Sequence, residues 1–303
     1  MAEVIDRRSF TLGLGAGVLL PGGAAAAAQF DPVARLRAIE RAAGVRLGAF
    51  VLDTGTGRSF GWRADERFCH CSTFKLSLAA LALREGDAGR LNLNETLSFG
   101  RADLVAYAPV VEANLAKGRL AIATLAEAVQ VTSDNAAANV LMRRLGGPDA
   151  LTRFWRGIGD RVSRIDDYEP AVNVIPPGTT ANSTTPRAMA GTVRRIVLGD
   201  VLRPASRDRL QGWMAATRSG LRRIRAAAPP GWHGFDKTGT GMRPGIGNKT
   251  NDLAVLLPPG GRAPLVLTGY VENPVFAEDV RPADEAVLRM LGEVAIAWAG
   301  RTR

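Results

Sequence analysis

Strand-like segments at both ends of the chain, separated by a long helical middle, are the feature that most restricts its fold. Residues 45–62, VRLGAFVLDTGTGRSFGW, alternate apolar and other residues around a Gly-rich turn, which predicts a hairpin. Strand patterns return at 231–241 and 252–271, the latter with a turn at PPGG, and residues 283–299 are helix-like. These segments predict one antiparallel sheet covered by terminal helices, an α/β fold of the α+β sandwich type.

The middle of the chain has a helical pattern. Residues 72–85 are apolar on almost every side, which predicts a buried helix, and helical patterns run from about 101 to 214. The segment 166–186, DDYEPAVNVIPPGTTANSTTP, is too long and too polar for an ordinary connection. We interpret it as a functional loop or a disordered one.

These patterns divide the chain into two lobes. We expect an α/β lobe from residues 29–65 and 215–303, and a mostly helical lobe inserted between them at 66–214. The helical lobe includes the loop 164–182. A groove between two lobes is a favoured place for an active site.

The N-terminal segment, residues 1–28, predicts an export signal. Arg7 and Arg8 precede a weakly apolar run, and Ala24–Ala28 supply the small residues that a signal peptidase needs. The run is too short and too rich in Gly and Ala for a stable membrane anchor. A frayed Ala-rich helix is the alternative. We expect a periplasmic protein exported by the twin-arginine route.

The formal net charge of +10 raises the question of a nucleic-acid partner. The basic residues are scattered, and the densest cluster, Arg222, Arg223 and Arg225, lacks the interleaved aromatics on which bases stack. We therefore predict small-molecule substrates and no nucleic acid, with a monomer as the expected assembly.

The two cysteines and two histidines predict neither a disulfide nor a metal site. Cys69 and Cys71 flank His70, and residues two apart do not easily reach disulfide geometry. A zinc site needs three or four ligands at a recognisable spacing, and the other histidine, His233, is distant in sequence. We expect buried, reduced cysteines and no cofactor.

Ser72 and Lys75 form an S-x-x-K pattern at the start of the predicted buried helix. Residues at i and i+3 lie on one face of a helix, within reach of each other. The chain has 39 basic residues, of which four are lysines. A buried lysine can lose its proton and act as a base towards a serine hydroxyl, whereas arginine cannot. The pattern suggests a serine nucleophile with a lysine base, although S-x-x-K alone is a weak signal.

Two further motifs follow in order. Ser133-Asp134-Asn135 separates two helical patterns, and its non-catalytic interpretation is a helix N-cap. Lys237-Thr238-Gly239 lies on a predicted strand; a turn is the alternative, since TGTG also occurs at 54–57 in the first hairpin. The three motifs in this order are characteristic of one group of serine enzymes.

With these motifs the chain resembles the penicillin-recognising serine enzymes, and most closely the class A β-lactamases. RIDDYEPAVN adds Glu169-Pro170 with Asn173 four residues on. In class A enzymes this Glu and Asn hold the water that cleaves the acyl-enzyme. A solvated acidic loop is the alternative. The resemblance covers nearly the whole chain after the signal, and it implies a cis peptide bond before Pro170.

The resemblance implies the following catalytic roles. Ser72 attacks the β-lactam carbonyl and is acylated, and Lys75, or Glu169 through its water, accepts the proton. Ser133 passes a proton to the departing ring nitrogen. The backbone N–H groups of Ser72 and Thr240 form the oxyanion hole.

The resemblance also implies a set of substrate-binding residues. Asn135 hydrogen-bonds the side-chain amide of the substrate, and Asn173 helps to hold the water. Tyr107, in YAPV, resembles the aromatic residue at the rim of the cleft, although a packing tyrosine is an equal alternative. The predicted substrate-binding residues on the strand are Lys237, Thr238, Gly239 and Thr240.

The sequence departs from the family pattern at three places. The arginine that many members carry on the strand after K-T-G is replaced by Ile246, and Arg223 resembles the substitute arginine of other members. The Arg–Asp pair at the neck of the loop corresponds to Asp167 and Asn182.

The third departure concerns Cys71. It precedes the nucleophile as in some carbapenem-hydrolysing members, but the position of their disulfide partner falls near Gly241. This departure removes one support for carbapenem hydrolysis and leaves the substrate spectrum open.

Two alternatives share the first three motifs. A penicillin-binding D-Ala-D-Ala carboxypeptidase would not need Glu169 and Asn173, and a β-lactam-sensing module would be acylated without turnover. The substrate spectrum depends on a few kcal/mol of pocket contacts, which motifs do not reveal.

Overall fold

The predicted sheet is present and draws its strands from both ends of the chain. The computed structural model describes residues 30–175 and 178–301. Five strands form the main sheet: β1 Arg46–Asp53, β2 Ser59–Trp62, β7 His233–Arg243, β8 Gly247–Leu257 and β9 Leu265–Asn273. Their order is β2-β1-β9-β8-β7, and every neighbouring pair is antiparallel. Two small antiparallel pairs join β3 Phe68–Cys69 to β6 Ser183–Thr184, and β4 Thr96–Ser98 to β5 Arg119–Ala121.

Both predicted hairpins of the sheet are confirmed, but β8 is longer than the sequence indicated. β1 pairs with β2, and PPGG joins β8 to β9. β8 begins at Gly247 rather than at Asp252. Its first residues, GNKTN, have no apolar alternation, yet they are buried and pair with the end of β7. Pairing across the hairpin therefore sets where this strand begins.

Because β8 begins at Gly247, the assignment of Ile246 to the strand position of the family's arginine is wrong. Ile246 lies in the turn between β7 and β8 and is exposed. The residue opposite Thr240 on the neighbouring strand is Thr250. The position after K-T-G that carries an arginine in many family members is therefore on β8, which contains no arginine.

Helices cover both faces of the main sheet. α1 Pro32–Ala43 packs against α9 Pro282–Arg301, which lies on β9 with Leu288 facing residue 269. Thr268 Oγ1 donates to Pro186 O at 2.8 Å, at the start of α7 Pro186–Val193. Adjacent strand residues point to opposite faces, so α7 and α9 lie on opposite sides. The predicted cover of terminal helices is confirmed.

The middle of the chain packs around a buried helix, as predicted. The helices of this part are α2 Phe74–Asp87, α3 Pro109–Ala113, α4 Ile122–Val131, α5 Asn135–Arg144, α6 Gly147–Gly157 and α8 Pro204–Ala216. Every residue of α2 from Phe74 to Leu83 is buried, and α2 contacts α4, α5, α6 and α8. A 3₁₀ turn, Cys71–Thr73, precedes α2, so Ser72 lies just ahead of the α-helix.

Within the predicted loop segment 166–186, residues 166–175 and 178–182 form a loop with a 3₁₀ turn at Ala171–Asn173, and β6 and the start of α7 follow. At its neck Asn182 Nδ2 donates to Asp167 Oδ2 at 2.8 Å, and Asn182 Oδ1 accepts from the Asp166 N–H at 2.9 Å. The predicted pair therefore meets, as an amide–carboxylate hydrogen bond instead of an ion pair.

Residues from Asp31 onward form one compact unit. The lobe boundaries at 65/66 and 214/215 stay a prediction. Within residues 30–175 and 178–301, no helix has the length and apolarity needed to span a bilayer. The predicted export signal at residues 1–28 lies outside the described residues.

Candidate active site

The sheet supports the backbone around Ser72 from behind. Asn251 Nδ2, on β8, donates to the carbonyl oxygens of Cys69 and His70, at 2.9 and 3.2 Å. β7 approaches closely at Gly239, where a Cβ would lie 2.9 Å from His70 O. The glycine of the K-T-G motif is therefore needed for this approach, and the nucleophile candidate sits on a supported turn.

Ser72, Lys75 and Glu169 meet in direct contact. Lys75 Nζ lies 3.0 Å from Ser72 Oγ and 2.8 Å from Glu169 Oε1. Glu169 Oε1 is also 3.5 Å from Ser72 Oγ. The Lys75 and Glu169 side chains are 0% exposed. A buried ion pair that touches a serine hydroxyl supplies two candidate acceptors for its proton.

The surroundings of Lys75 act on its pKa in opposite directions, with a net lowering. Burial lowers the pKa of Lys75, and the Glu169 carboxylate acts in the opposite direction. Nζ also donates to Ser133 O at 3.0 Å and to Asn135 Oδ1. Four oxygen atoms thus surround a group that has at most three protons. A lowered pKa is what a lysine base requires, which supports the argument for Lys over Arg at this position.

Glu169 is held in place by hydrogen bonds to its backbone and to its carboxylate. Asn139 on α5 accepts from Glu169 N and donates to Glu169 O, both at 2.9 Å. Asn173 Nδ2 donates to Glu169 Oε2 at 2.6 Å. The Glu169–Pro170 peptide bond is cis, as predicted. The solvated-loop alternative is therefore wrong, because this carboxylate is buried and directed at Lys75.

The Ser133-Asp134-Asn135 motif both caps a helix and takes part in the arrangement around the two site lysines. Asp134 caps α5 by accepting from the Ala137 N–H at 2.8 Å. Ser133 has a left-handed φ of 61°, and its Oγ accepts from Lys237 Nζ at 3.0 Å. The cap explains the aspartate, while the serine links the two site lysines.

Lys237 is fully buried beside a second cation. Burial, followed by the positive charge of Lys75, lowers the pKa of Lys237 to about 7. Its Nζ donates to Thr238 O at 2.9 Å as well as to Ser133 Oγ. An anionic substrate group would favour its charged form.

Arg223 lies behind Thr240. Its guanidinium donates to Thr240 Oγ1 at 2.9 Å and to Gly239 O at 3.0 Å, and Arg223 itself is buried. Glu285 Oε1 lies 3.4 Å from its Nε. Arg223 therefore holds the hydroxyl of Thr240 and places a positive charge under β7.

Asn135 and Tyr107 lie together beside the site. The Asn135 N–H donates to Tyr107 O at 3.0 Å, and Asn135 Nδ2 donates to Ala106 O at 2.7 Å. Tyr107 is 66% exposed. This exposure argues against the packing-tyrosine alternative.

The cysteines and His70 lie beneath the site. Cys69 and Cys71 are buried and free, as predicted. A Cβ at Gly241 would lie 3.0 Å from Cys71 Sγ, so the expected partner position does face this thiol. The His70 ring stacks on the Trp155 ring, with the ring centroids 5.0 Å apart. Burial lowers the pKa of His70 to about 4. In the described part of the chain, no three His, Cys, Asp or Glu residues cluster as metal ligands would.

Sequence reasoning missed Asn139, Asn251 and Ser219. Ser219 Oγ pairs with Thr238 Oγ1 at 2.6 Å, and each asparagine holds a backbone segment of the site. A polar residue one turn after Asn135 on an apolar helix was the available signal for Asn139. Asn251 and Ser219 have no comparable local signal.

The predicted residues form one connected arrangement between β7, α2, α5 and the loop. Its members are Ser72, Lys75, Ser133, Asn135, Glu169, Asn173, Lys237, Thr238, Gly239 and Thr240. An antiparallel sheet with this serine–lysine–serine–lysine set defines the penicillin-recognising serine enzymes.

Comparison with known proteins narrows this class. The sequence model of the beta-lactamase enzyme family matches residues 31–298. The β-lactamase of Streptomyces albus G is 40% identical over 297 residues, covering 92% of each chain. The β-lactamase L2 of Stenotrophomonas maltophilia is 41% identical, covering 85% of this chain and 82% of that protein.

Solved structures of β-lactamases are similar to this chain as well. A β-lactamase from Burkholderia vietnamiensis is 46% identical with a TM-score of 0.84, covering 90% of this chain and 97% of that one. An ancestral class A β-lactamase is 45% identical with a TM-score of 0.82, covering 88% and 100%. The chain belongs to the β-lactamase family, as a class A member.

Proposed function

We propose that this protein hydrolyses the amide bond of β-lactams through an acyl-enzyme on Ser72, which a water activated by Glu169 then cleaves. The observation that carries the proposal is the contact set around Lys75. Its Nζ touches both Ser72 Oγ and Glu169 Oε1, at 3.0 and 2.8 Å. One site thus contains a nucleophile, a lysine base beside it and a carboxylate for the later step.

In acylation, Ser72 Oγ forms a bond to the β-lactam carbonyl carbon, and the ring C–N bond breaks. The hydroxyl proton goes to Lys75, whose pKa is lowered by burial, or to Glu169 through a water. Ser133 Oγ, hydrogen-bonded to Lys237 Nζ at 3.0 Å, passes a proton to the departing nitrogen. The backbone N–H groups of Ser72 and Thr240 stabilise the oxyanion.

We expect the substrate carboxylate to bind along β7. Lys237 supplies a positive charge, and the hydroxyls of Thr238 and Thr240 supply donors. Arg223 contributes from behind, because it orients the Thr240 hydroxyl at 2.9 Å and adds a buried positive charge. Asn135 would hold the side-chain amide of the substrate, with Tyr107 at the rim.

In deacylation, Glu169 takes a proton from water as the water attacks the ester carbon. The bond from that carbon to Ser72 Oγ then breaks, and the proton passes from Glu169 to Ser72 Oγ, 3.5 Å from Oε1, so that Ser72 leaves as the alcohol. The Asn173 amide, 2.6 Å from Glu169 Oε2, keeps the carboxylate in place and offers a group for binding the water. This step distinguishes a β-lactamase from a penicillin target.

Such an enzyme confers resistance where β-lactams meet their targets. We propose export to the periplasm through the twin-arginine signal at residues 1–28, a route that fits the Arg7-Arg8 pair.

Turnover of a chromogenic cephalosporin by the purified chain tests the proposal. We expect multiple turnovers by the parent and none by Ser72→Ala, with Ser59→Ala, an exposed serine on β2, as the matched control. A parent that is acylated once and stays acylated would instead indicate a penicillin-binding or sensing protein.

A further inference from the structure

Lys249 is a buried lysine to which the mechanism assigns no role. The chain has 39 basic residues and four lysines. Lys117 is exposed, whereas Lys75, Lys237 and Lys249 are buried, at 0%, 0% and 9% exposure. The first two buried lysines lie in the site. The compact ammonium of the third suggests that it also serves a specific contact.

Lys249 reaches from the sheet to the loop that carries Glu169. It lies on β8, opposite Gly241 on β7 and Glu272 on β9. Its Nζ donates to Asn173 O at 3.3 Å. The side chain of the same asparagine donates to Glu169 Oε2 at 2.6 Å. Two successive hydrogen bonds therefore connect a rigid strand to the carboxylate.

Gly241 lies beside both residues of this contact. A Cβ at Gly241 would lie 3.8 Å from Lys249 Cβ and 3.9 Å from Asn173 Cβ. Cys69 Sγ supports the same turn, since it lies 3.5 Å from Val172 O. The carbonyl oxygens of Val172 and Asn173 thus each accept a hydrogen bond, from Cys69 and Lys249 respectively.

The two chemical steps depend on different supports. Ser72 lies in the 3₁₀ turn before α2 and Lys75 in the first turn of α2, a helix that is buried from Phe74 to Leu83. Glu169 depends on the loop, and a general base loses efficiency when it is misplaced by a fraction of an ångström. Loosening the turn at Asn173 should therefore slow deacylation, which needs Glu169, far more than acylation, for which Lys75 remains as a proton acceptor 3.0 Å from Ser72 Oγ.

We propose that Lys249 is a positioning residue for deacylation, acting through Asn173 on Glu169. This inference rests on the proposed function, because it assigns Lys249 to the second half of that reaction. Lys249→Met keeps the aliphatic stem and removes the ammonium. We expect the deacylation rate with a penicillin to fall about tenfold, as for the loss of one charged hydrogen bond. The acylation rate should stay within about twofold of the parent value.

Single-turnover and steady-state kinetics separate the two rates, and intact-protein mass spectrometry follows the Ser72 adduct. Lys249→Arg restores a cationic donor and should recover most of the deacylation rate. Lys117→Met is the matched control at an exposed lysine and should behave as the parent. If Lys249→Met is poorly folded, Lys249→Gln, which keeps a neutral donor, should show the same selective loss at a smaller size.

Three results would overturn the inference. One is parental deacylation in both Lys249→Met and Lys249→Gln. Another is an equal fall in acylation and deacylation, which indicates a general structural role. The third is a failure of Lys249→Arg to recover any rate. A parent that does not turn over penicillin would instead refute the proposed function, so the two failures are distinguishable.

Discussion

Replacing Glu169 by glutamine separates the two halves of the proposed reaction. The side chain keeps its size, but it can no longer take a proton from water. The contact with Lys75 changes as well, because the Glu169 charge raises the pKa of Lys75 against the effect of burial. Without that charge Lys75 should be neutral more often, so a proton acceptor for Ser72 remains. We therefore expect acylation to continue in Glu169→Gln.

The expected loss falls on deacylation. A positioned general base contributes about 10²–10⁴ in rate, which corresponds to roughly 3–5.5 kcal/mol of barrier. The glutamine side chain can keep both contacts of the carboxylate. Its amide oxygen can accept from Asn173 Nδ2, now 2.6 Å from Oε2, while its NH₂ faces the neutral Lys75 amine, 2.8 Å from Oε1. The loss should therefore come from the missing base and not from a displaced side chain.

Intact-protein mass spectrometry after mixing with a penicillin provides the assay. Glu169→Gln should show a persistent adduct on Ser72, and the parent only a fleeting one. Glu127→Gln, at an exposed position on α4, is the matched control and should behave as the parent. The reasoning is refuted if the variant turns over as fast as the parent, or if the parent itself holds the adduct for hours.

Three further predictions concern binding, pH and export. Arg223→Ala should lower kcat/KM for penicillins by roughly tenfold to 150-fold, mainly through a higher KM, because a charged hydrogen bond to Thr240 is lost; unchanged steady-state kinetics would contradict this. The kcat/KM of the parent should fall as pH rises through about 7, since Lys237 with its lowered pKa loses its charge there. Lys237→Arg should remove that fall, and a flat parental profile between about pH 6 and pH 9 would count against the assignment. Changing Arg7 and Arg8 to lysine should leave activity in the cytoplasmic fraction, whereas normal periplasmic activity would disprove twin-arginine export.

The local sequence was enough to predict those features that depend on neighbouring residues. Ser72 and Lys75 meet because a spacing of three brings side chains together in either a 3₁₀ turn or an α-helix. The alternation at 45–62 and the PPGG turn predicted hairpins that form as expected. The order of the motifs, together with Glu169 and Asn173, was enough for the family resemblance.

The tertiary structure decided how distant segments meet. Nothing local to Glu169 indicates that its carboxylate lies 2.8 Å from Lys75, or that Asn139 holds its backbone. Arg223 was expected at the substrate and lies behind Thr240, because the side chain is buried between β7 and Glu285. Such contacts depend on the simultaneous packing of the loop, the sheet and the buried helix, and short sequence patterns describe only one of these at a time.

The start of β8 is the simplest case in which a short sequence pattern did not predict the structure. GNKTN has none of the alternation of a strand, yet pairing with β7 makes it one and shifts Ile246 out into the turn. That shift also places Lys249 beneath Asn173. Burial and hydrogen bonding to a neighbouring strand overrode the weak intrinsic preference of these residues, and only the folded chain supplies that neighbour.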